Sequence, residues 1–258
     1  MPAKSSRNRP STLNSIQFVG PEMIDNLADA ELPDQLIAFK YPLTRLAEAL
    51  RHGGPLKIVA MGSSSTAGRE DVLPYPYWLE MYLRRACDNP RIDVLNRGVG
   101  GQEAIEELDR FDSDIFAEAP APSLVIWQVG TNAVFHKEKY NVDDVAEKIA
   151  VGVDRLRAHA GQMDVLLIDP QHVPAMLIDD KAELSERMVS LIAAVAERAG
   201  VNVFRRWALM QHWHAQNNIG FDRMVDPTDP DRLHQSDGST LRMSRGLNDA
   251  IRKAAAVA

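Results

Sequence analysis

Short apolar runs alternate with longer amphipathic segments along most of the chain. The apolar runs predict five β-strands, at residues 57–61, 92–95, 124–128, 164–168 and 201–204. The amphipathic segments predict helices at residues 75–86, 102–117, 142–159, 181–199 and 239–256. Strands that alternate with helices are typical of an α/β fold built on a parallel sheet. We therefore predict a three-layer, doubly wound parallel sheet with the flavodoxin-like strand order 2-1-3-4-5.

The N-terminal part of the chain lacks this alternation. Residues 1–17 are rich in Ser, Arg, Asn and Pro, a composition typical of a disordered tail. Residues 21–50 carry apolar positions at helical spacing, and prolines divide them into short pieces. We expect residues 1–55 to be a tail and a helical extension packed on the core, and residues 56–258 to be the main domain. The extension would cover the sheet, or help to form the substrate pocket or an interface.

The first predicted strand runs directly into a turn rich in glycine and serine. The sequence from Gly62 to Gly68 is Gly-Ser-Ser-Ser-Thr-Ala-Gly. In open α/β folds ligands bind beyond the carboxyl ends of the strands, so a serine hydroxyl there is exposed on a rigid scaffold and can serve as a nucleophile. Glycine and serine are also ordinary turn residues, and a turn without chemistry explains them equally well.

A serine nucleophile requires a general base and a group that orients this base. We choose His234 as the base because it follows a carboxylate in the sequence Asp231-Arg232-Leu233-His234. A single turn could bring Asp231 onto the imidazole, where it would fix the tautomer and stabilise the imidazolium. The alternative for this segment is a solvated loop. His172, which follows the fourth predicted strand, is ranked below His234 as the base.

Two more apolar runs end in glycine and asparagine. One leads into Asn96-Arg97-Gly98-Val99-Gly100-Gly101-Gln102, and the other leads into Gly130-Thr131-Asn132. Acyl transfer needs hydrogen-bond donors at the developing oxyanion, and a backbone N–H beside glycine and an asparagine amide are suitable donors. Because the carboxyl ends of neighbouring parallel strands meet at one edge, we expect these donors to lie beside the serine turn.

These four blocks, in this order, resemble the SGNH (GDSL-type) hydrolase superfamily from about residue 57 to the C-terminus. The resemblance implies that Ser64 is the nucleophile, since this alignment also matches the glycines and the threonine of the first block. It implies a catalytic triad of Ser64, Asp231 and His234. It further implies an oxyanion hole formed by the N–H groups of Ser64 and Gly101 and by the side chain of Asn132. No metal or cofactor is implied.

Two positions depart from the superfamily pattern. Ser63 stands where an aspartate usually precedes the nucleophile, and Ala133 stands where an aspartate usually follows the asparagine of the third block. Neither position belongs to the triad, so the chemistry can survive both changes. The departures remove carboxylates that normally hold the loops beneath the site, and they leave Ser63 and Ser65 as competitors for the role of nucleophile.

The resemblance implies a serine esterase, similar to lysophospholipases and acetylesterases, that forms an acyl-enzyme. We expect a short, acetyl-like acyl group on a small-molecule or carbohydrate ester. Two alternatives stay open: an O-acyltransferase with the same triad, and a non-catalytic binding protein that kept the fold. His172, Trp207 and Trp213 are candidates for substrate contact, the two tryptophans within a long irregular segment predicted at 207–230.

Composition agrees with these predictions. The chain has 258 residues, of which 45% are hydrophobic, so it can bury one sizeable core. A net charge of −7 argues against a nucleic-acid partner. Cys87 is the single cysteine, which excludes an intrachain disulfide and fits a reducing compartment. No apolar stretch is long enough for a membrane span, so we expect a cytoplasmic protein. The sequence leaves homo-oligomer formation open.

Overall fold

Five strands form one parallel sheet in the computed structural model, which describes residues 27–69, 72–160 and 162–256. They are β1 (Leu56–Gly62), β2 (Ile92–Gly98), β3 (Leu124–Gln128), β4 (Asp164–Ile168) and β5 (Asn202–Phe204). Their order is β2-β1-β3-β4-β5, and all neighbours are parallel. The predicted doubly wound sheet of order 2-1-3-4-5 is confirmed.

The central strands carry the apolar runs that predicted them. Every residue of β3 is buried, and β1 is buried except at Lys57. Such continuous burial is expected of strands covered on both faces by helices. In the sheet register, Gly62 at the end of β1 lies opposite Gly98 at the end of β2. The loops that follow these two strands therefore begin at the same edge.

The helices of the described residues surround this sheet. They are α1 (Asp34–Ile37), α2 (Thr44–His52), α3 (Ser64–Ala67), α4 (Tyr75–Ala86), α5 (Ala104–Leu108), α6 (Thr131–Phe135), α7 (Val142–Ala158), α8 (Lys181–Ala199), α9 (Arg206–Ala215), α10 (Phe221–Met224) and α11 (Asp237–Ala254). Helices α4 and α11 pack together on one side, and α7 packs against α5 and α8 on the other. The helices predicted at 75–86 and 181–199 are confirmed with the same bounds.

Two predicted elements differ from the structure. The helix predicted at 102–117 is divided into α5 and a π-helical turn at Asp112–Phe116. The segment 207–230, predicted to be irregular, contains the helices α9 and α10. Its large apolar residues Trp207, Met210 and Trp213 recur every three positions and are all buried, which is a helical pattern.

The N-terminal extension packs on the core through its described part. Leu27, Leu43 and Leu46 are fully buried in the same core as the sheet. The backbone of Tyr41 exchanges two hydrogen bonds with the side chain of Asn202, at 2.9 and 2.8 Å, and so covers the start of the edge strand β5. The predicted tail at residues 1–17 lies outside the described residues, and the domain division at residue 55 stays a prediction.

Candidate active site

The turn after β1 is packed directly on the end of β2. Gly62 has a φ of +152°, and a Cβ at this position would overlap the Thr66 hydroxyl. A Cβ at Gly98 would overlap the backbone of Ala67. Only glycine fits at these two close approaches, and together they place the first residue of α3, Ser64, at the edge of the sheet.

The structure brings Ser64 and His234 together across 170 residues of chain. The Ser64 Oγ lies 2.9 Å from His234 Nε2, and His234 Nδ1 lies 2.8 Å from Asp229 Oδ2. Such a chain of contacts lets the imidazole accept the hydroxyl proton while the carboxylate holds the other ring nitrogen. This geometry is that of a nucleophile, a base and an orienting carboxylate.

The contact that we expected of Asp231 is made by Asp229 instead. Asp231 is exposed, and its backbone N–H donates to Asp229 Oδ1 at 3.3 Å. Arg232, with a φ of +54°, turns the chain in the left-handed region between these aspartates and the histidine. This turn folds the loop back over Asp229, so the buried carboxylate is the one five residues before His234.

The Asp229 carboxylate is held by a dense set of donors. Its Oδ2 accepts the backbone N–H groups of Leu233 and His234, at 2.9 and 2.7 Å, and Arg69 pairs with Oδ1. Burial alone would raise the pKa of Asp229, but these hydrogen bonds and the imidazole outweigh it and hold the pKa well below its usual range. The ionised carboxylate places a proton on His234 Nδ1 and leaves Nε2 to accept from Ser64.

Ser63 and Ser65 contact other groups. The hydroxyl of Ser63 is buried and donates to Gln128 Oε1 at 3.1 Å. The hydroxyl of Ser65 donates to Gln171 Oε1 at 3.5 Å. Among the three consecutive serines, Ser64 is therefore the one placed against the histidine.

The loop after β2 lies between Ser64 and the side chain of Asn132. A Cβ at Gly100 would lie 3.9 Å from the Ser64 Cβ, and Gly101 follows with a φ of +78°. The next residue, Gln102, accepts a hydrogen bond of 2.7 Å from the Asn132 side-chain amide through its backbone carbonyl. Residues 100–102 therefore connect the surroundings of Ser64 with the side chain of Asn132.

A buried polar network beneath the site was missed by the sequence reasoning. Gln128 Nε2 donates to the Thr131 hydroxyl at 3.0 Å, and this hydroxyl donates to Gln171 Oε1 at 3.1 Å. Gln171 Nε2 in turn donates to the Leu233 carbonyl at 3.2 Å, next to the histidine. The network connects the loops after β1, β3 and β4 with the histidine loop. Its only signal in the sequence is polar residues that directly end or follow apolar strands.

Buried charges extend this network away from the nucleophile. The guanidinium of Arg206 is fully buried and donates to the Asp169 carbonyl at 2.9 Å and to the Thr131 hydroxyl at 3.4 Å. Burial lowers the pKa of Arg206 to about 10 and raises the pKa of Asp169 to about 7. The floor of the site is therefore polar and densely connected.

A small cleft opens beside Ser64 and His234. Its other lining residues are Ser65, Gly68, Arg69, Val72, Pro74, Gln235, Thr240 and Met243. The cleft opens to solvent, and the space within it that admits the centre of a water-sized sphere is about 20 Å³, enough for a water molecule. The cleft therefore gives Ser64 and His234 an opening to solvent.

Of the three candidates for substrate contact, Trp213 is excluded by its position. It is fully buried, and its indole N–H donates to the Glu31 carbonyl at 2.6 Å, so it belongs to the core. His172 and Trp207 are also largely buried, with ring centroids 4.7 Å apart. The pKa of His172 is lowered to about 4, mainly by burial and to a smaller extent by the nearby His214. His172 and Trp207 stay predictions as substrate contacts.

The described residues hold neither a metal-binding cluster nor a membrane-spanning helix. No group of three or more His, Cys, Asp or Glu side chains in these residues could hold a metal ion. In the same ranges, no helix is both long and apolar enough to cross a bilayer.

Comparison with family models decides the family. The model of the Non-GDSL lipase-like family matches residues 29–256. The chain belongs to this family. The name of the family fits the serine turn of this chain. Ser63 and Ser65 flank Ser64 at the two positions where the superfamily pattern has Asp and Leu. The predicted resemblance to SGNH-type hydrolases is confirmed.

Solved structures share the fold. The acetylxylan esterase Axe2 from Geobacillus stearothermophilus matches with a TM-score of 0.64 and 18% identity, over 77% of this chain and 95% of Axe2. A putative GDSL-like lipase from Parabacteroides merdae matches with a TM-score of 0.64 and 15% identity, over 76% of this chain and 95% of the lipase. The comparison with curated proteins found no match.

Proposed function

We propose that this protein is a serine esterase that hydrolyses a carboxylic ester through an acyl-enzyme. The observation that carries the proposal is the continuous chain of contacts from Ser64 through His234 to Asp229, at 2.9 and 2.8 Å. Membership of a lipase-like family supports it, since lipases are ester hydrolases.

In this mechanism the Ser64 hydroxyl attacks the ester carbonyl while His234 Nε2 takes its proton. Asp229 stabilises the imidazolium that forms. Collapse of the tetrahedral intermediate breaks the bond to the alcohol, which leaves with the proton from His234. Water then attacks the acyl-enzyme with the same base, releases the carboxylic acid and restores the Ser64 hydroxyl.

The oxyanion would be held by two backbone donors and one side-chain donor. Ser64 begins α3, and the first N–H groups of a helix have no partner within the helix. Gly101 supplies the second N–H from the loop beside Ser64. The Asn132 amide has two N–H groups, of which one donates to the Gln102 carbonyl and the other is left for the oxyanion.

The acyl group is proposed to be short and acetyl-like, on a carbohydrate or another alcohol. The narrow cleft beside Ser64, lined by Val72, Pro74 and Met243, supports this. The likeness to Axe2, described as an acetylxylan esterase, agrees with an acetyl group. The cytoplasmic location stays a prediction from the sequence.

The proposal is tested with p-nitrophenyl acetate, butyrate and octanoate as substrates. We expect hydrolysis of the acetate with the highest kcat/KM and a steep fall with chain length. A fluorophosphonate probe should label the protein, and peptide mass spectrometry should place the label on Ser64. A folded protein that neither hydrolyses these esters nor takes the label would contradict the proposal and favour a binding protein.

A further inference from the structure

A buried carboxylate lies beneath the proposed oxyanion hole although both expected aspartates are absent. Glu103 is 2% exposed. Its Oε1 accepts the N–H of Gly130 at 2.9 Å and of Ala104 at 3.0 Å, and its Oε2 accepts the N–H of Ala133 at 2.9 Å. The carboxylate therefore holds the loop after β3 on both sides of Asn132.

We propose that Glu103 is a positioning residue that fixes Asn132 and Gly101 relative to Ser64, and that it takes over the role of the carboxylate missing at Ala133. This inference rests on the proposed esterase function. The carboxylate is supplied from the loop after β2 and reaches the loop after β3.

Two consecutive residues make this connection from the same loop. Gln102 accepts the Asn132 side-chain amide through its backbone carbonyl at 2.7 Å, and Glu103 accepts the backbone N–H groups on either side of Asn132. Both the orientation of the Asn132 amide and the position of its backbone are therefore set by residues adjacent to Gly101. An error of about 1 Å in such a position can cost about 100-fold in rate.

Glu103 and Glu107 are two neighbouring buried carboxyl groups, and their surroundings indicate which of them is ionised. Glu107, one turn later on α5, is 1% exposed and accepts the Trp127 indole N–H at 2.6 Å through Oε2. Its Oε1 has no partner within the described residues. Burial and the nearby charge of Glu103 raise the pKa of Glu107 well above its usual range.

Glu103 is the member of the pair with strong donors. Burial raises the pKa of Glu103 too, but the N–H groups of Gly130, Ala104, Ala133 and Asn132 act against this rise. Three backbone donors on one carboxyl group match an anion, which accepts at every lone pair. We therefore assign the negative charge to Glu103 and the proton to Glu107.

Glu103 also caps α5, and this second role must be separated from the first. Its side chain accepts from Ala104, while Glu106 accepts the Glu103 backbone N–H at 3.1 Å, which completes a capping box. Glu106→Gln changes the other half of this capping box and the Glu106 contacts to Lys139 and Tyr140, but it leaves the hydrogen bonds of Glu103 to Gly130 and Ala133 in place. This variant is the matched control for a purely structural role.

The test compares Glu103→Gln, Glu106→Gln and wild type by kcat, KM and Tm with p-nitrophenyl acetate. We expect Glu103→Gln to lower kcat about 10- to 100-fold with KM changed less than about threefold, because an oxyanion hole acts on the transition state. Glu106→Gln should lower Tm while its kcat stays within about twofold of wild type.

A double-mutant cycle and a rescue variant complete the test. In an Asn132→Ala background, the effect of Glu103→Gln on kcat should shrink, since the residue it positions is gone. Ala133→Asp added to Glu103→Gln returns a carboxylate to the same loop and should recover at least about 10-fold in kcat over Glu103→Gln alone; where Glu103→Gln does not fold, recovered folding is the corresponding readout.

Three results would overturn the inference. The first is a folded Glu103→Gln protein with wild-type kcat. The second is a loss of kcat in Glu106→Gln as large as that in Glu103→Gln. The third is an undiminished effect of Glu103→Gln on kcat in the Asn132→Ala background. Wild-type protein that neither turns over nor takes the fluorophosphonate label would instead contradict the proposed function, and the inference would fall with it.

Discussion

Asp229 Oδ2 lies 2.8 Å from His234 Nδ1, although Asp231 stands at the shorter and more familiar spacing from this histidine. The Asp229 side chain is fully buried, and Asp231 is exposed. In Axe2, the catalytic substitutions of an aspartate and a histidine lie three positions apart. In this chain the contact comes from a carboxylate five residues before the histidine.

The two aspartates should therefore differ in their effect on catalysis. We expect Asp229→Asn to lower kcat/KM by about 10²- to 10⁴-fold, because an amide cannot fix the His234 tautomer or stabilise the imidazolium. Asp231→Asn should stay within about twofold of wild type, as expected of an exposed side chain. The check is ester hydrolysis by both variants. A large loss in Asp231→Asn together with a small one in Asp229→Asn would reverse the assignment.

The buried carboxyl of Glu107 should make stability depend on pH. Its folded pKa is raised, so its contribution to stability is fully present below the unfolded pKa of about 4.3 and is lost as the pH rises through the folded pKa. Glu107→Gln keeps a neutral group that can accept from Trp127, at 2.6 Å in the wild type.

We accordingly expect Glu107→Gln to be more stable than wild type at pH 9 and to lose this advantage near pH 4. Urea unfolding at both pH values measures the difference. A Glu107→Gln protein that is less stable than wild type at pH 9 and equal at pH 4 would show that Glu107 is ionised in the folded protein.

The close approach at Gly98 should be sensitive to a single methyl group. A Cβ there would overlap the backbone of Ala67, at the end of the turn that carries Ser64. We expect Gly98→Ala to cost about 1–3 kcal/mol in the free energy of unfolding and to lower kcat by displacing Ser64.

Gly54→Ala is the matched control, because a Cβ at Gly54 meets no atom within 4 Å. Denaturant unfolding and ester hydrolysis should separate the two variants clearly. Equal stability and activity for both would mean that the nucleophile turn is not packed on β2 as described.

The sequence predicted the strands and the longest helices because apolar periodicity reports which faces are buried. Helices α4 and α8 have the bounds that their amphipathic patterns predicted. The helix predicted at 102–117 is divided into α5 and the π-helical turn at Asp112–Phe116. The sequence analysis missed this division because apolar residues continue at helical spacing through both parts.

Short motifs singled out Ser64 and His234, and the structure brings their side chains to 2.9 Å. Gly101 and Asn132 follow β2 and β3, the strands on either side of β1, and their roles in an oxyanion hole stay predictions. The choice between Asp229 and Asp231 depends on how that loop folds, which spacing alone does not determine. The buried groups of Glu103 and Gln171 likewise gain their meaning only from long-range hydrogen bonds.

The most direct test of the account is to measure hydrolysis of p-nitrophenyl acetate by Ser64→Ala, Ser63→Ala and Ser65→Ala. We predict that Ser64→Ala lowers kcat by at least about 10³-fold, because the Ser63 and Ser65 hydroxyls contact Gln128 and Gln171 instead of His234. Ser63→Ala and Ser65→Ala should retain much of the wild-type rate. Wild-type turnover by a folded Ser64→Ala protein would contradict the central claim.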